Sequence, residues 1–245
     1  TEGIVVGDFQ ANGYVSGTKN GFYIQDMTGD GYSTTSDGVF VYYYDSDVQV
    51  GDYVRVTGEA TEYNDVTQIA SYPSVVVCDV GQPLPAPTVV SLPVADKDVD
   101  FEALEGMRVI FLQDLVISEY YNFDRFGEIV LTSQRYMQYT AVNEPDVLGY
   151  AAAEAEFELN SITLDDGRTN QNPDPAIHPN GLEFDLYNRF RGGDLVTNLT
   201  GVVDYYSLWR IQPTEGADYT PVNPRTAAPD ILDGDIKVAS LNVLN

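Results

Sequence analysis

The chain has 245 residues, and its 38 acidic against 12 basic side chains give a net charge of −26, which argues against a bare electrostatic clamp on nucleic acid. Apolar residues make up 43% and aromatic residues 12%, which excludes wholesale disorder, and 18 tyrosines point to strands and tight turns. No apolar run approaches the ~18 residues that a membrane-spanning helix needs, so no membrane association is expected.

The chain opens inside a strand pattern at residues 3–9, followed by a Gly/Asn/Ser-rich connection to Gly21. Gly21–Asp26 reads as a second strand and runs into Met27-Thr28-Gly29-Asp30-Gly31, a turn-forming cluster. Val39–Tyr44 is a third strand. Gly51-Asp52 then turns the chain into Tyr53–Glu62, which alternates strictly around Gly58, a place for a bulge. Thr67–Ile69 and Val75–Cys78 read as two further short strands, with the lone Cys78 as a small buried hydrophobe and no intrachain disulfide to form. Five or six short strands in so short a span predict a small β-barrel.

Gln82–Pro87 carries alternate prolines and reads as a stiff linker. Asp100–Gly106 has the signals of one helical turn, and Met107–Glu119 of a long, bent strand. Residues 127–132 add another strand. Glu144-Pro145-Asp146 followed by Val147–Phe157 is the one convincing helix. Ser161–Gly167 is a strand ending in an acidic turn, and residues 168–191 form a long polar loop of the kind that has a job or is ordered by something.

An internal repeat organises these elements. Gly51-Asp52-Tyr53-Val54, Thr57-Gly58, Glu62-Tyr63 and Gln68-Ile69 recur as Gly193-Asp194-Leu195-Val196, Thr200-Gly201, Asp204-Tyr205 and Arg210-Ile211, at an offset of 142–143 positions. Two copies of one supersecondary unit imply two similar barrels. The expected fold is mainly all-β: two tandem oligonucleotide/oligosaccharide-binding (OB)-like barrels, the second with an inserted helix and long loop. Residues 1–82 form the first, 83–99 the Pro-rich linker and 100–229 the second. Residues 230–245 read as a linker and an orphaned strand, Lys237–Asn245, with a polar Asn242 where a core strand does not want one. Both ends read as cut.

Several motifs together resemble the front of ExeM/NucH-type secreted bacterial nucleases. They are Glu2–Gln10, Gly21–Asp26, Thr28–Gly31, Thr35–Val41, Gly51–Gly58, Leu164–Gly167, Gln171–Pro175, Tyr205–Pro213 and Val238–Asn245. The resemblance implies a YhcR-like OB-fold region ahead of an endonuclease/exonuclease/phosphatase domain of the DNase I type. It implies a secreted, bacterial setting, with Mg²⁺ or Mn²⁺ serving the downstream catalytic domain. Asn242 matches an asparagine at the end of that domain's first strand, and Leu241 stands where Phe is commoner. His178, the single histidine, matches no catalytic histidine, so this polypeptide is not expected to cleave DNA by itself.

Two acidic clusters suit structural Ca²⁺ by residue type: Asp26, Asp30 and Asp37 in one Gly-rich loop, and Asp165, Asp166, Asn172 and Asp174 with Asn170 in the long loop. Turn chemistry explains the first equally. For nucleic acid the candidates are Tyr43, Arg55, Tyr63, Tyr205, Trp209 and Arg210, with Tyr42, Tyr44, Tyr120, Tyr121, Tyr206, Arg125, Arg189 and Arg191 behind them, because single strands need stacking rings and some positive charge. The partners so implied are DNA and the downstream domain of the same chain, with the protein expected to be a monomer. A binding module for another polymer such as a glycan, or a spacer without a ligand, satisfies the same composition.

Overall fold

The computed structural model describes residues 1–11, 13–228, 233–236 and 238. Its first unit holds β1 (Glu2–Phe9), β2 (Gly21–Gln25), β3 (Gly38–Tyr42), β4 (Tyr53–Tyr63) and β5 (Val66–Asp79). They close into a barrel in the order β1-β2-β3-β5-β4, antiparallel throughout except for β3 with β5. Alternation does the sorting: Val54 and Val56 point inward to Val5, Phe22, Ile24, Val41 and Ile69, while Arg55 and Thr57 face water. Asn64 and Asp65, at φ 52° and 61°, make the two-residue turn between β4 and β5, and left-handed backbone at both positions matches the twist of the strands.

The two short strands expected at 67–69 and 75–78 are one. Ser71 and Tyr72, both at φ 60°, bulge out of β5 while β4 pairs on either side of them. Past the bulge β5 pairs with β4 alone among the described strands, so its other edge is uncovered. Val76, Val77 and Cys78 therefore face solvent, which corrects the expectation of a buried cysteine.

The second unit runs β6 (Thr88–Val90), α1 (Lys97–Glu102), β7 (Arg108–Phe111), β8 (Leu115–Glu119), α2 (Phe123–Phe126), β9 (Ile129–Thr132), α3 (Tyr139–Val142) and α4 (Val147–Leu159). It continues with β10 (Ser161–Leu164), β11 (Leu195–Thr197), β12 (Leu199–Tyr205), β13 (Trp209–Pro213) and β14 (Asp218–Thr220). Its nine strands lie in the order β14-β11-β8-β9-β10-β13-β12-β7-β6. The long strand expected from Met107 breaks in two: β7 pairs with β12 and β8 with β11. Part of the expected linker belongs to this sheet, since β6 runs parallel to β7. The helical turn starts earlier than Asp100, at Lys97, because Asp96 caps it by accepting from the Val99 amide. The expected helix is α4, capped by Asp146, which accepts from the Leu148 and Gly149 amides.

The sequence repeat is a repeat of pairing register. Phe40 and Val41 pair in parallel with Gln68 and Ile69, and Thr163 and Leu164 pair in parallel with Arg210 and Ile211. The bulge between Val5 and Gly7 of β1 recurs between Ile117 and Glu119 of β8. The Gly-Asp corners also match. The Gly51 and Gly193 amides donate to the Val5 and Ile117 carbonyls (2.9 and 2.8 Å), and Asp52 and Asp194 accept from the amides of Gln49 and Arg191 three residues earlier (2.9 and 2.8 Å). Both glycines need the left-handed backbone, at φ 92° and 91°.

The units share a packed seam, in which Val202 of β12 joins Val6, Tyr23 and Phe40. Gly38 and Gly106 meet backbone to backbone there, and a Cβ on Gly38 would lie 2.3 Å from the Gly106 carbonyl carbon. The protein is thus predominantly β, with a closed five-stranded barrel joined to a larger sheet. No helix among the described residues is long and apolar enough to cross a membrane, which leaves strand-built spans aside.

Candidate functional site

The Gly-Asp corner of the second unit forms the floor of a cleft of about 510 Å³. Asp194 fixes that floor by accepting four hydrogen bonds, from the Arg191, Val222 and Asn223 amides and the Tyr219 hydroxyl (2.6–2.9 Å). Burial pushes its pKa up, but the Tyr219 hydroxyl and the three amides outweigh it and hold the carboxylate below its usual range. Gly192 and Gly193 leave the floor bare between two walls. A Cβ on Gly192 would come 3.1 Å from the Tyr120 ring, and one on Gly193 would lie 3.7 Å from the Arg135 guanidinium.

Tyr136 completes the Arg135 wall and is held from behind by α4 and its cap. Its hydroxyl donates to Glu156 (3.1 Å) and accepts from Asn160 (2.7 Å), and its ring meets Phe157 edge to face. Arg135 and Arg191 are exposed and form no ion pair among the described residues. Two free guanidiniums and two tyrosine rings over a bare backbone floor can hold a phosphate together with a flat ring, in a chain whose surface otherwise repels anions.

A second concavity, of about 400 Å³, lies on β3 and the β5 bulge of the first unit. Tyr42, Tyr43, Tyr44 and Tyr72 line it with Asp45 and Gln68, and no Lys or Arg is among its described lining residues. The rings of Tyr14, Tyr44 and Tyr42 follow one another edge to face, each pair 5.6 Å apart.

The nucleic-acid candidates divide between these surfaces and the core. Tyr43 lines the tyrosine groove, with its ring against Phe22 and its hydroxyl on Ser46. Tyr63 is exposed at the end of β4, near Tyr42. Arg55 is exposed but pairs with Glu2. Trp209 is buried, packed between a tilted Phe101 ring and an edge-to-face Tyr205, with its indole N–H on Asp98 (3.1 Å). Arg210 is buried, paired with Asp165 and Glu128. Trp209 and Arg210 are thus enclosed, and Tyr205 is half-buried against the same core. Arg191 and Tyr120 stood among the weaker candidates, whereas Arg135 and Gly192 escaped notice. The signal for Gly192 is in the repeat, where Gln49-Val50 of the first copy becomes Arg191-Gly192 in the second, whereas nothing in the repeat marks Arg135.

Most of the acidic candidates already accept hydrogen bonds from the protein. Asp26 accepts from the amides of Thr28 and Gly29 and the Thr28 hydroxyl, Asp37 from the Asp30 amide, and Asp30 from the Tyr32 amide and the Thr35 hydroxyl. Their oxygens close the turn on itself. Asp165 is occupied by Arg210 and Gln212 (2.5 and 3.0 Å), and burial beside its charge raises the pKa of Asp166 to about 6. Asn172 and Asp174 point to solvent. No group of three or more His, Cys, Asp or Glu side chains converges among the described residues. The long loop packs on the core of the second unit through its aromatic side chains. Phe184 and Phe190 pack on Phe123, and the buried His178 packs against Phe190 and edge to face with Tyr219.

Beneath these surfaces a buried polar chain crosses the seam. Lys19 Nζ reaches Asp204 (2.6 Å), and the Gln212 amide bridges Asp204 and Asp165 (2.8 and 3.0 Å). Burial works against the Asp204 carboxylate, yet Lys19 and Gln212 hold its pKa below the usual range. Glu105, also at the seam, accepts from the Thr67 amide, and burial lifts its pKa to about 7. Asn242 lies outside the described residues. No family model matches the chain, and comparison with curated proteins and with solved structures gives no match either.

Proposed function

We propose that this chain is the non-catalytic region of a secreted, divalent-metal-dependent nuclease, two OB-like barrels in tandem that position extracellular nucleic acid for a downstream endonuclease/exonuclease/phosphatase domain. The barrel reading rests on the 1-2-3-5-4 strand order of the first unit, with its parallel third and fifth strands, and on the recurrence of that register in the second. The functional reading is carried by one observation, the cleft in which Arg135 and Arg191 stand free beside Tyr120 and Tyr136. Mg²⁺ or Mn²⁺ belongs to the downstream domain, with Asn242 as that domain's first contribution, and this chain contributes placement of the substrate.

Fluorescence anisotropy with a labelled single-stranded oligonucleotide tests the cleft. Binding is expected to be weak and salt-sensitive, and to fall by about tenfold or more in Arg135→Ala/Arg191→Ala, one lost charged contact being worth about 1.5–3 kcal/mol. Undiminished binding by the double variant overturns the assignment. Cleavage of DNA by this chain alone, without a downstream domain, overturns the division of labour.

A further inference from the structure

We propose that the tyrosine groove of the first unit is a second binding site, for a neutral glycan chain. The observation is a combination of display and charge. Ser71 and Tyr72 are consecutive non-glycine residues in left-handed backbone, a conformation bulky side chains rarely adopt, and it lifts Tyr72 to 97% exposure. A buried side chain would repay such a backbone through packing; this one faces water. Its ring borders a groove whose other walls are Tyr42, Tyr43 and Tyr44.

Ring faces of this kind stack on the C–H faces of pyranose rings, and the groove falls in the size range of small-ligand sites. Asp45, Gln68 and Ser71 supply acceptors and donors for sugar hydroxyls at the same place. The charge selects the ligand. No guanidinium or ammonium is among the described groups that line the groove, and Asp45 sits on its wall, so a phosphodiester backbone meets repulsion with no compensating contact. A neutral polysaccharide meets none. The Arg135–Arg191 cleft has the opposite character, and the two sites lie on different units. The protein would thereby hold a matrix polysaccharide with one unit while the other engages an anionic strand.

The test is isothermal titration calorimetry of the whole chain against neutral hexasaccharides, namely cellohexaose, laminarihexaose, maltohexaose, chitohexaose and mannohexaose. At least one is expected to bind in the micromolar to millimolar range. Tyr72→Ala should weaken it by about tenfold, on the scale of losing one stacked ring, and Tyr72→Phe should retain most of the affinity. Tyr72 touches little else, so an unchanged melting curve will accompany both variants. Arg135→Ala/Arg191→Ala should leave sugar binding unaltered, which separates failure of this site from failure of the cleft. No binding by any of the sugars overturns the proposal. So does sugar binding that Tyr72→Ala leaves intact, or displacement of the sugar by a thymidine oligonucleotide, which would assign the groove to nucleic acid.

Discussion

The two Gly-Asp corners share one backbone and differ in chemistry. Each places a left-handed glycine on the carbonyl of the first barrel strand or its counterpart, and each aspartate ties back to the residue three positions before it. In the first unit the residues ahead of the corner are Gln49 and Val50; in the second they are Arg191 and Gly192. The difference removes a side chain from the floor and adds a cation to the rim. Counting on from the register position that Gln25 shares with Thr132, the first copy offers the Asp26–Asp30 turn where the second offers Arg135. A repeated framework therefore fixes where a cleft can lie, and two or three substitutions set the charge of its rim.

The same contrast runs through the interior. Glu62 of the first copy sits in solvent and accepts from the Thr67 hydroxyl, while its counterpart Asp204 is buried against Lys19. The sharpest way to break the comparison is Lys19→Met. It leaves the Asp204 carboxylate buried without its cation, and the expected loss, read by chemical denaturation at pH 7, is about 3–5 kcal/mol. Equal stability of the variant and the parent would mean that the seam does not depend on this pair.

Glu105 gives a pH-dependent test of the same seam. Its folded pKa of about 7 lies above the unfolded value near 4.5, so the folded state holds the extra proton. Stability from this group is complete below about pH 4.5 and is lost as the pH rises through about 7. Glu105→Gln keeps an acceptor for the Thr67 amide and carries no charge. It should stabilise the protein at pH 8 by up to about 3 kcal/mol and change little at pH 4. A gain of the same size at both pH values would contradict the assignment.

Converting the second corner to the first, by Arg191→Gln/Gly192→Val, sharpens the comparison at its surface. Oligonucleotide affinity should fall by about tenfold, or roughly 1.4 kcal/mol, with an unchanged far-UV circular dichroism spectrum. The smallest effect belongs to the exposed copy: Glu62→Ala should stay within about 0.5 kcal/mol of the parent.

Much of the framework was legible because short-range patterns set it. Alternation placed the strands of the first barrel, Asp146 marked the start of α4, and the spaced Gly-Asp motifs revealed the repeat. What escaped was set by long-range packing. Nothing near Val75–Cys78 tells that β5 has an uncovered edge there, and a pattern of alternating residues cannot show that Ser71 and Tyr72 leave the strand without ending it. Trp209 and Arg210 look like binding residues until Phe101, Asp98, Asp165 and Glu128 arrive from distant segments to enclose them. The cleft was half legible: the repeat shows Arg191-Gly192 as a departure from the first copy, but only the fold brings Arg135 beside it.

The seam also sets an order of events while the chain is being made. Lys19 and Asp204 are 185 positions apart, so a ribosome adding about 5–20 residues per second delivers the second partner roughly 10–40 s after the first. In that interval the barrel can close, but Tyr23 and Phe40 lack Val202 and the Lys19 ammonium lacks the Asp204 carboxylate. The seam side of the nascent chain is thus incomplete until β12 has been made.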